Sequence, residues 1–193
     1  MRESTVIRQT RETKISITLR LDAPDTASVI ETNLPLFTHF LTALTFYSGL
    51  YWDIHALGDV EVDPHHLVED VGIAMGQALD QALGDRTGIL RFGQQYLPMD
   101  EALVLCVLDF SGRGQLYWQG SFPDRAINGV SSEIWPEFFN GLARHARMTL
   151  HLRYLEGINA HHVYEAAFKA LGRALSQAVT TVDNRMPSTK GSL

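Results

Sequence analysis

Residues 53–83 read DIHALGDVEVDPHHLVEDVGIAMGQALDQAL, and residues 149–179 read TLHLRYLEGINAHHVYEAAFKALGRALSQAV. Laid over one another at an offset of 96, without a gap, the two stretches agree at ten of 31 positions. His55 falls on His151, His65 on His161, His66 on His162 and Glu69 on Glu165. The helix pattern behind the histidine pair repeats as well: Ala74, Gly76, Ala78, Leu79, Gln81 and Ala82 meet Ala170, Gly172, Ala174, Leu175, Gln177 and Ala178. A chance His-His match would not carry that pattern with it. The chain reads as a duplicated unit of about 90 residues.

Working outward, both halves follow one plan. The first has an alternating strand at Lys14–Leu21, a helical stretch at Leu36–Leu44, a strand around Trp52–Ala56 and a long helix at Glu69–Leu83. The second has a strand at Leu103–Phe110, a helix at Glu133–Arg147, a strand at Arg147–Arg153 and a long helix at Glu165–Val179. Gly76 and Gly172 sit mid-helix, where glycine costs about 1 kcal/mol relative to alanine, so close helix–helix packing is expected there. Turns are expected at Asp22–Asp25, Ala82–Asp85, Ser111–Gly114 and Phe122–Asp124. The fold class is α+β, with extra strands in each half. One domain, residues 1–193, is built from two halves (about 8–95 and 96–185) and a patternless tail, 186–193. Each half is a β-sheet covered by helices, and the helix layers pack between the sheets.

Composition narrows the function. Of 193 residues, 45% are hydrophobic and 20% charged, an ordinary globular balance. Sixteen Lys and Arg against 22 Asp and Glu give a net charge of −6, which excludes general nucleic-acid binding. A few focused cations can still hold a small anion. The single cysteine, Cys106, excludes an internal disulfide framework. No apolar run approaches the roughly 20 residues of a membrane span, and the N-terminal segment lacks the apolar core of a signal peptide. A cytoplasmic protein is expected.

The eight histidines carry the chemistry. Borderline divalent ions favour imidazole nitrogen with carboxylate oxygen, the donor set of His-His-x-x-Glu. The second histidine and the glutamate of each motif stand three apart, on one helix face, which predicts that His66 shares an ion with Glu69, and His162 with Glu165. The leading histidines, His65 and His161, are then expected to point at a different ion. Two motifs that each divide their donors suit a two-metal site.

The chain resembles the imidazoleglycerol-phosphate dehydratase family, in its single-function form, from Arg8 to Leu193. The runs that carry the resemblance are Arg8–Thr13, Gly58–Asp70, Gly88–Gly93, Pro98–Ala102, Asp109–Arg113, Met148–His151, Gly157–Lys169 and Pro187–Leu193. It implies a carbon–oxygen lyase of histidine biosynthesis that dehydrates D-erythro-imidazole glycerol phosphate to imidazole acetol phosphate through a metal-bound imidazolate. It implies two Mn²⁺ per active site, held by His39, His65, His66, Glu69, His151, His161, His162 and Glu165. Glu12 matches a substrate-contacting carboxylate and is the candidate proton shuttle. Arg91, Arg113, Lys169, Ser188 and Lys190 match phosphate-contacting positions. The resemblance further implies a homo-oligomer, a 24-subunit shell with active sites between subunits.

His55 and His145 fall outside the implied ligand set, although the repeat lays His55 on His151. Two positions depart from the family: Thr38 stands where an Asp is usual, and Tyr47 where a His is usual. They leave open an alternative, a catalytically weak or inactive paralogue that serves as a metal-binding assembly protein.

Overall fold

The computed structural model describes residues 2–23 and 26–193. The first half runs β1 (Glu3–Gln9), β2 (Thr13–Arg20), β3 (Val29–Thr32), α1 (Pro35–Ser48), β4 (Tyr51–Gly58) and α2 (Pro64–Leu83). The second repeats that order as β5 (Phe92–Met99), β6 (Ala102–Asp109), β7 (Gln115–Gln119), α3 (Trp135–His145), β8 (Thr149–Glu156) and α4 (Ala160–Ala178), with a 3₁₀ turn at Ser132–Ile134 leading into α3.

The two sheets have the same topology, β1-β2-β4-β3 and β5-β6-β8-β7. The first two pairings in each are antiparallel and the last is parallel. A parallel step needs a crossover, which α1 supplies between β3 and β4, and α3 between β7 and β8. In β2, Ile15, Ile17 and Leu19 are buried, and in β6 so are Val104, Cys106 and Leu108. These apolar faces lie under α2 and α4 respectively. The helices of the two halves then meet, α2 against α3 and α1 against α4, between the sheets, as expected.

The mid-helix glycines sit on those seams. A Cβ at Gly76 would stand 2.6 Å from the Leu142 carbonyl oxygen, and one at Gly172 would stand 2.4 Å from that of Leu44. The loss in helix propensity is offset by backbone contact that no larger residue allows.

Three features differ from the sequence pattern. The long helices begin about a turn earlier than Glu69 and Glu165, because Asp63 and Asn159 cap them: each side chain accepts the backbone N–H of the first histidine of the pair, His65 or His161, at 2.9 Å. The extra strands are β1, β3, β5 and β7, the sheet edges. One face of each is only partly covered, with few buried residues (Val6 in β1, Gly93 and Leu97 in β5, none in β3 or β7) and polar side chains among the covered positions, so hydrophobic alternation is weak. The turn at Asp22–Asp25 lies partly outside the described residues, which omit Pro24 and Asp25.

Among the described residues no helix is long and apolar enough to cross a membrane. Cys106 is free and buried in the second sheet, and burial pushes its thiol far up.

Candidate metal centre

Packing of α1 on α4 creates the best-formed cluster. His161 occupies the first turn of α4, and Glu165 follows one turn on. The Nε2 of His161 lies 3.0 Å from Glu165 Oε2, and the Nε2 of His39, from α1, lies 3.1 Å from the same oxygen. The two rings stack at 5.3 Å. All three donor atoms fall within 4.8 Å of one another. Glu165 is buried, and its other oxygen takes Lys169 Nζ at 2.6 Å. Burial alone would pull this carboxyl up, but hydrogen bonds from Lys169 and His39 outweigh it and hold the group below its ordinary value. An ionised carboxylate with two imidazoles fits a borderline divalent ion.

The pairing within each motif corrects the sequence reading. The first histidine, not the second, shares its face with the glutamate: His161 with Glu165, and His65 with Glu69 at 3.7 Å. At 3.6 residues per turn, four residues bring side chains closer to one line than three do. The second histidines turn instead to acidic loops. His66 Nδ1 lies 3.0 Å from Asp59 Oδ1, and His162 Nδ1 lies 2.7 Å from Glu101 Oε2, with Asp100 Oδ2 3.7 Å from its Nε2. The Asp59 hydrogen bond raises the His66 pKa, and the Glu12 charge adds to it; the Glu101 bond does the same for His162. His162 and the Asn159 N–H in turn hold the Glu101 carboxyl down at about 2.

His151 stands apart from both clusters. It lies on the face of β8 opposite to the buried Leu150 and Leu152, stacked on Tyr117 at 4.4 Å. A single chain therefore brings together His39, His161 and Glu165, and separately His65 and Glu69, but leaves His66, His151 and His162 pointing elsewhere. His55 pairs its Nδ1 with Glu31 at 2.9 Å, and its Nε2 lies 2.9 Å from Asp53 Oδ1 without a hydrogen bond between them. His145 packs beside Gly76, its Nδ1 2.9 Å from the Gly141 carbonyl.

Glu12 is exposed in the β1–β2 turn. The turn is built by Thr10, whose hydroxyl oxygen accepts the N–H groups of Glu12 and Thr13 at 3.1 and 2.9 Å. Thr13 then donates its hydroxyl to Asp70 at 2.5 Å, and Arg8 reaches the other Asp70 oxygen at 2.7 Å. These contacts fix the turn on α2, beside His66. That role of Arg8–Thr13 is not legible in the run itself; its signal is the carboxylate of Asp70, directly after Glu69.

Arg91, Arg113 and the tail adjoin at one end of the second sheet. Arg91 forks onto Asp109 at 2.6 and 3.0 Å and donates to the Pro187 carbonyl at 2.8 Å. Leu193 lies against Gly112, and Arg113 Nη1 donates to the Ser111 carbonyl at 3.2 Å. Ser188 is half-buried and Lys190 exposed in this tail. Lys169 is not with them; it sits on Glu165, with its ammonium 5.5 Å over the Tyr47 ring. Thr38 turns its hydroxyl to Thr32, 2.8 Å away.

Fold and site define a class: a duplicated α+β protein whose helices from opposite halves bring together imidazole and carboxylate groups suited to a metal ion. The profile of the imidazoleglycerol-phosphate dehydratase family matches residues 32–175. Imidazoleglycerol-phosphate dehydratases of Thermus thermophilus and Methanosphaerula palustris are 49% and 47% identical to this chain, each over all of both chains. Two solved structures of that enzyme superpose closely. The one from Pyrococcus furiosus, in complex with (S)-C348, gives a TM-score of 0.85 at 40% identity over 97% of this chain and 100% of its own. The one from Staphylococcus aureus gives 0.84 at 36% identity over 93% and 99%. The chain belongs to the imidazoleglycerol-phosphate dehydratase family.

Proposed function

We propose that this protein is a manganese-dependent hydro-lyase of histidine biosynthesis, working in the cytoplasm, that converts D-erythro-imidazole glycerol phosphate to imidazole acetol phosphate. The observation that carries the reading is the meeting of His39, His161 and Glu165, from two helices of opposite halves, in a chain of this family. These three would hold one Mn²⁺, and His65 with Glu69 would anchor the second. Bound there, the ions supply Lewis acidity and a template for an imidazole ring. His66, His151 and His162 complete the sites between neighbouring copies, because within one chain they face away from the two clusters. That arrangement favours a homo-oligomer, with the 24-subunit shell as its proposed form.

The other residues take the remaining tasks. Arg91, Arg113, Lys190 and the Ser188 hydroxyl receive the phosphate, the arginines through forked donors. Lys169 keeps Glu165 ionised and adds a further cation. Glu12, exposed and ungripped, moves the proton at the substrate carbon. We read residues 1–193 as one domain, its halves about 8–95 and 96–185 and its tail 186–193, the tail closing over the phosphate end.

The paralogue alternative is not favoured: the Thr38 hydroxyl faces Thr32, away from the ligand cluster. Purified protein incubated with Mn²⁺ and imidazole glycerol phosphate is expected to yield the enolisable ketone. A 1,2,4-triazole bearing a phosphonate should inhibit, and one lacking it should inhibit far less. Absence of the ketone with both metal sites filled would overturn the reading.

A further inference from the structure

Glu12 and Glu101 occupy the same place in the two halves, each the last residue before the second strand of its sheet, β2 or β6. Their surroundings differ. Glu101 is fully engaged: Oε1 accepts the N–H groups of Ile158 and Asn159 at 3.1 and 2.7 Å, and Oε2 faces His162 Nδ1 at 2.7 Å. In the first half that job belongs to Asp59, whose Oδ1 faces His66 Nδ1 at 3.0 Å. The repeat offset carries Asp59 onto Leu155, so the second half has no carboxylate there.

We propose that Glu101 and Asp59 are positioning residues: each carboxylate takes the Nδ1–H of the second histidine in its half and so leaves Nε2 as the lone-pair nitrogen aimed outward at the metal. Asp59 has a further consequence. By taking His66 it leaves Glu12 ungripped, whereas its counterpart Glu101 is tied down. Two unrelated positions reaching the same contact argue that the contact matters. The inference rests on His66 and His162 being ligands.

Glu101→Gln is the sharpest test, because it is isosteric. Its amide oxygen can keep the N–H groups of Ile158 and Asn159, just ahead of α4, which then turns the NH₂ toward His162 Nδ1. An NH₂ donates and cannot accept, so the neutral ring must carry its hydrogen on Nε2. In the metal-free, folded variant under alkaline conditions, the ring ¹⁵N shifts of His162 should exchange their pattern. Mn²⁺ affinity of the full-length protein should fall by ~10–100-fold, the scale for a carboxylate that orients a metal-bound histidine. Asp59 contacts only His66 through its side chain among the described residues, so Asp59→Ala tests the same idea without touching a helix cap, with a similar fall and loss of the Nδ1–H bias at His66. Asp59→Asn can turn its oxygen to Nδ1 and should stay close to the native affinity.

The parent reading is checked separately by His162→Ala. If that variant keeps full Mn²⁺ affinity, His162 is no ligand and the inference falls with it. If His162→Ala loses metal while Glu101→Gln and Asp59→Ala keep native tautomers or native affinity, the inference alone is overturned.

Discussion

His55 and His151 began as the same residue of a repeated unit and now do different things. Both point outward from the third strand of a sheet order that the two halves share. The parallel edge strand decides their fate. It sets Glu31 beside His55 and Tyr117 beside His151. Glu31 takes Nδ1 of His55 and Asp53 stands 2.9 Å from its Nε2, while His151 stacks on Tyr117 and, among the described residues, has no hydrogen-bond or ion-pair partner at its nitrogens. One cross-strand neighbour thus separates a closed surface pair from a ring available to another copy of the chain. Duplication preserved the scaffold; the chemistry was set by what stands next to each copy.

The largest expected effect breaks this pair apart. His151→Ala should lower turnover by more than the ~100-fold upper end for a group that merely orients a ligand, whereas His55→Ala should leave turnover and bound Mn²⁺ unchanged. Steady-state rates and metal analysis of the two variants check it. A loss in His55→Ala equal to that in His151→Ala would make the two histidines equivalent after all.

The helix seams diverge in the same way. Phe168 stands at the offset position of Gly72; its ring stacks on Phe40 at 5.2 Å, where a Cβ at Gly72 would meet the Phe138 carbonyl at 2.3 Å. The α1–α4 seam adds aromatic area to its backbone contact at Gly172, whereas the α2–α3 seam makes backbone contacts at both Gly72 and Gly76. Phe168→Ala is expected to cost about 3–5 kcal/mol by denaturant unfolding. Gly76→Ala and Gly172→Ala should each cost about 1–3 kcal/mol through overpacking, less the ~1 kcal/mol that alanine returns in helix propensity. Stabilisation by either alanine would refute the close approach.

Thr38→Asp probes a departure from the family with a smaller effect. The Thr32–Thr38 hydroxyl pair is lost and no metal donor is gained, so turnover should stay level or fall. A rise toward ~100-fold, the upper scale for a residue that supports a ligand, would identify the native chain as a weakened paralogue.

The smallest effect tests a link between the halves. Arg2 bonds Asp22 and also donates to the Val179 carbonyl at 2.6 Å, beyond the end of α4. The Arg2 hydrogen bonds hold the Asp22 carboxyl below its ordinary value. A depressed folded pKa means the unfolded chain takes up the proton first. The contribution is therefore complete above the ordinary aspartate range and is lost as pH falls through the folded value. Unfolding of Arg2→Ala should be easier than that of the native chain at neutral pH, with the difference shrinking in strong acid.

Much of this was legible in the residues. The repeat, both long helices and the buried strands β2 and β6 follow from periodicity, because those segments bury one face completely. The edge strands have no clear hydrophobic period, because their covered face is only partly buried and carries polar residues such as Ser4 and Arg8. The long helices start a turn ahead of Glu69 and Glu165 because Asp63 and Asn159 cap them there, a local signal that the spacing of the histidines and glutamates does not carry. The histidine that stands beside each glutamate differs from the spacing-based reading because spacing alone does not show what the second histidine meets across a loop; Asp59 and Glu101 lie 7 and 61 residues from their partners. That His66, His151 and His162 face away from the cluster of His39, His161 and Glu165 had no local signal at all.

The central claim is that the duplicated His-His-x-x-Glu motifs form a two-metal dehydratase, and metal-limited turnover tests it most directly. Protein stripped with a chelator should make no imidazole acetol phosphate, then regain turnover as Mn²⁺ is added, with the rate levelling off when two ions are bound per chain. Full turnover in the stripped protein, or saturation at one ion, would contradict it.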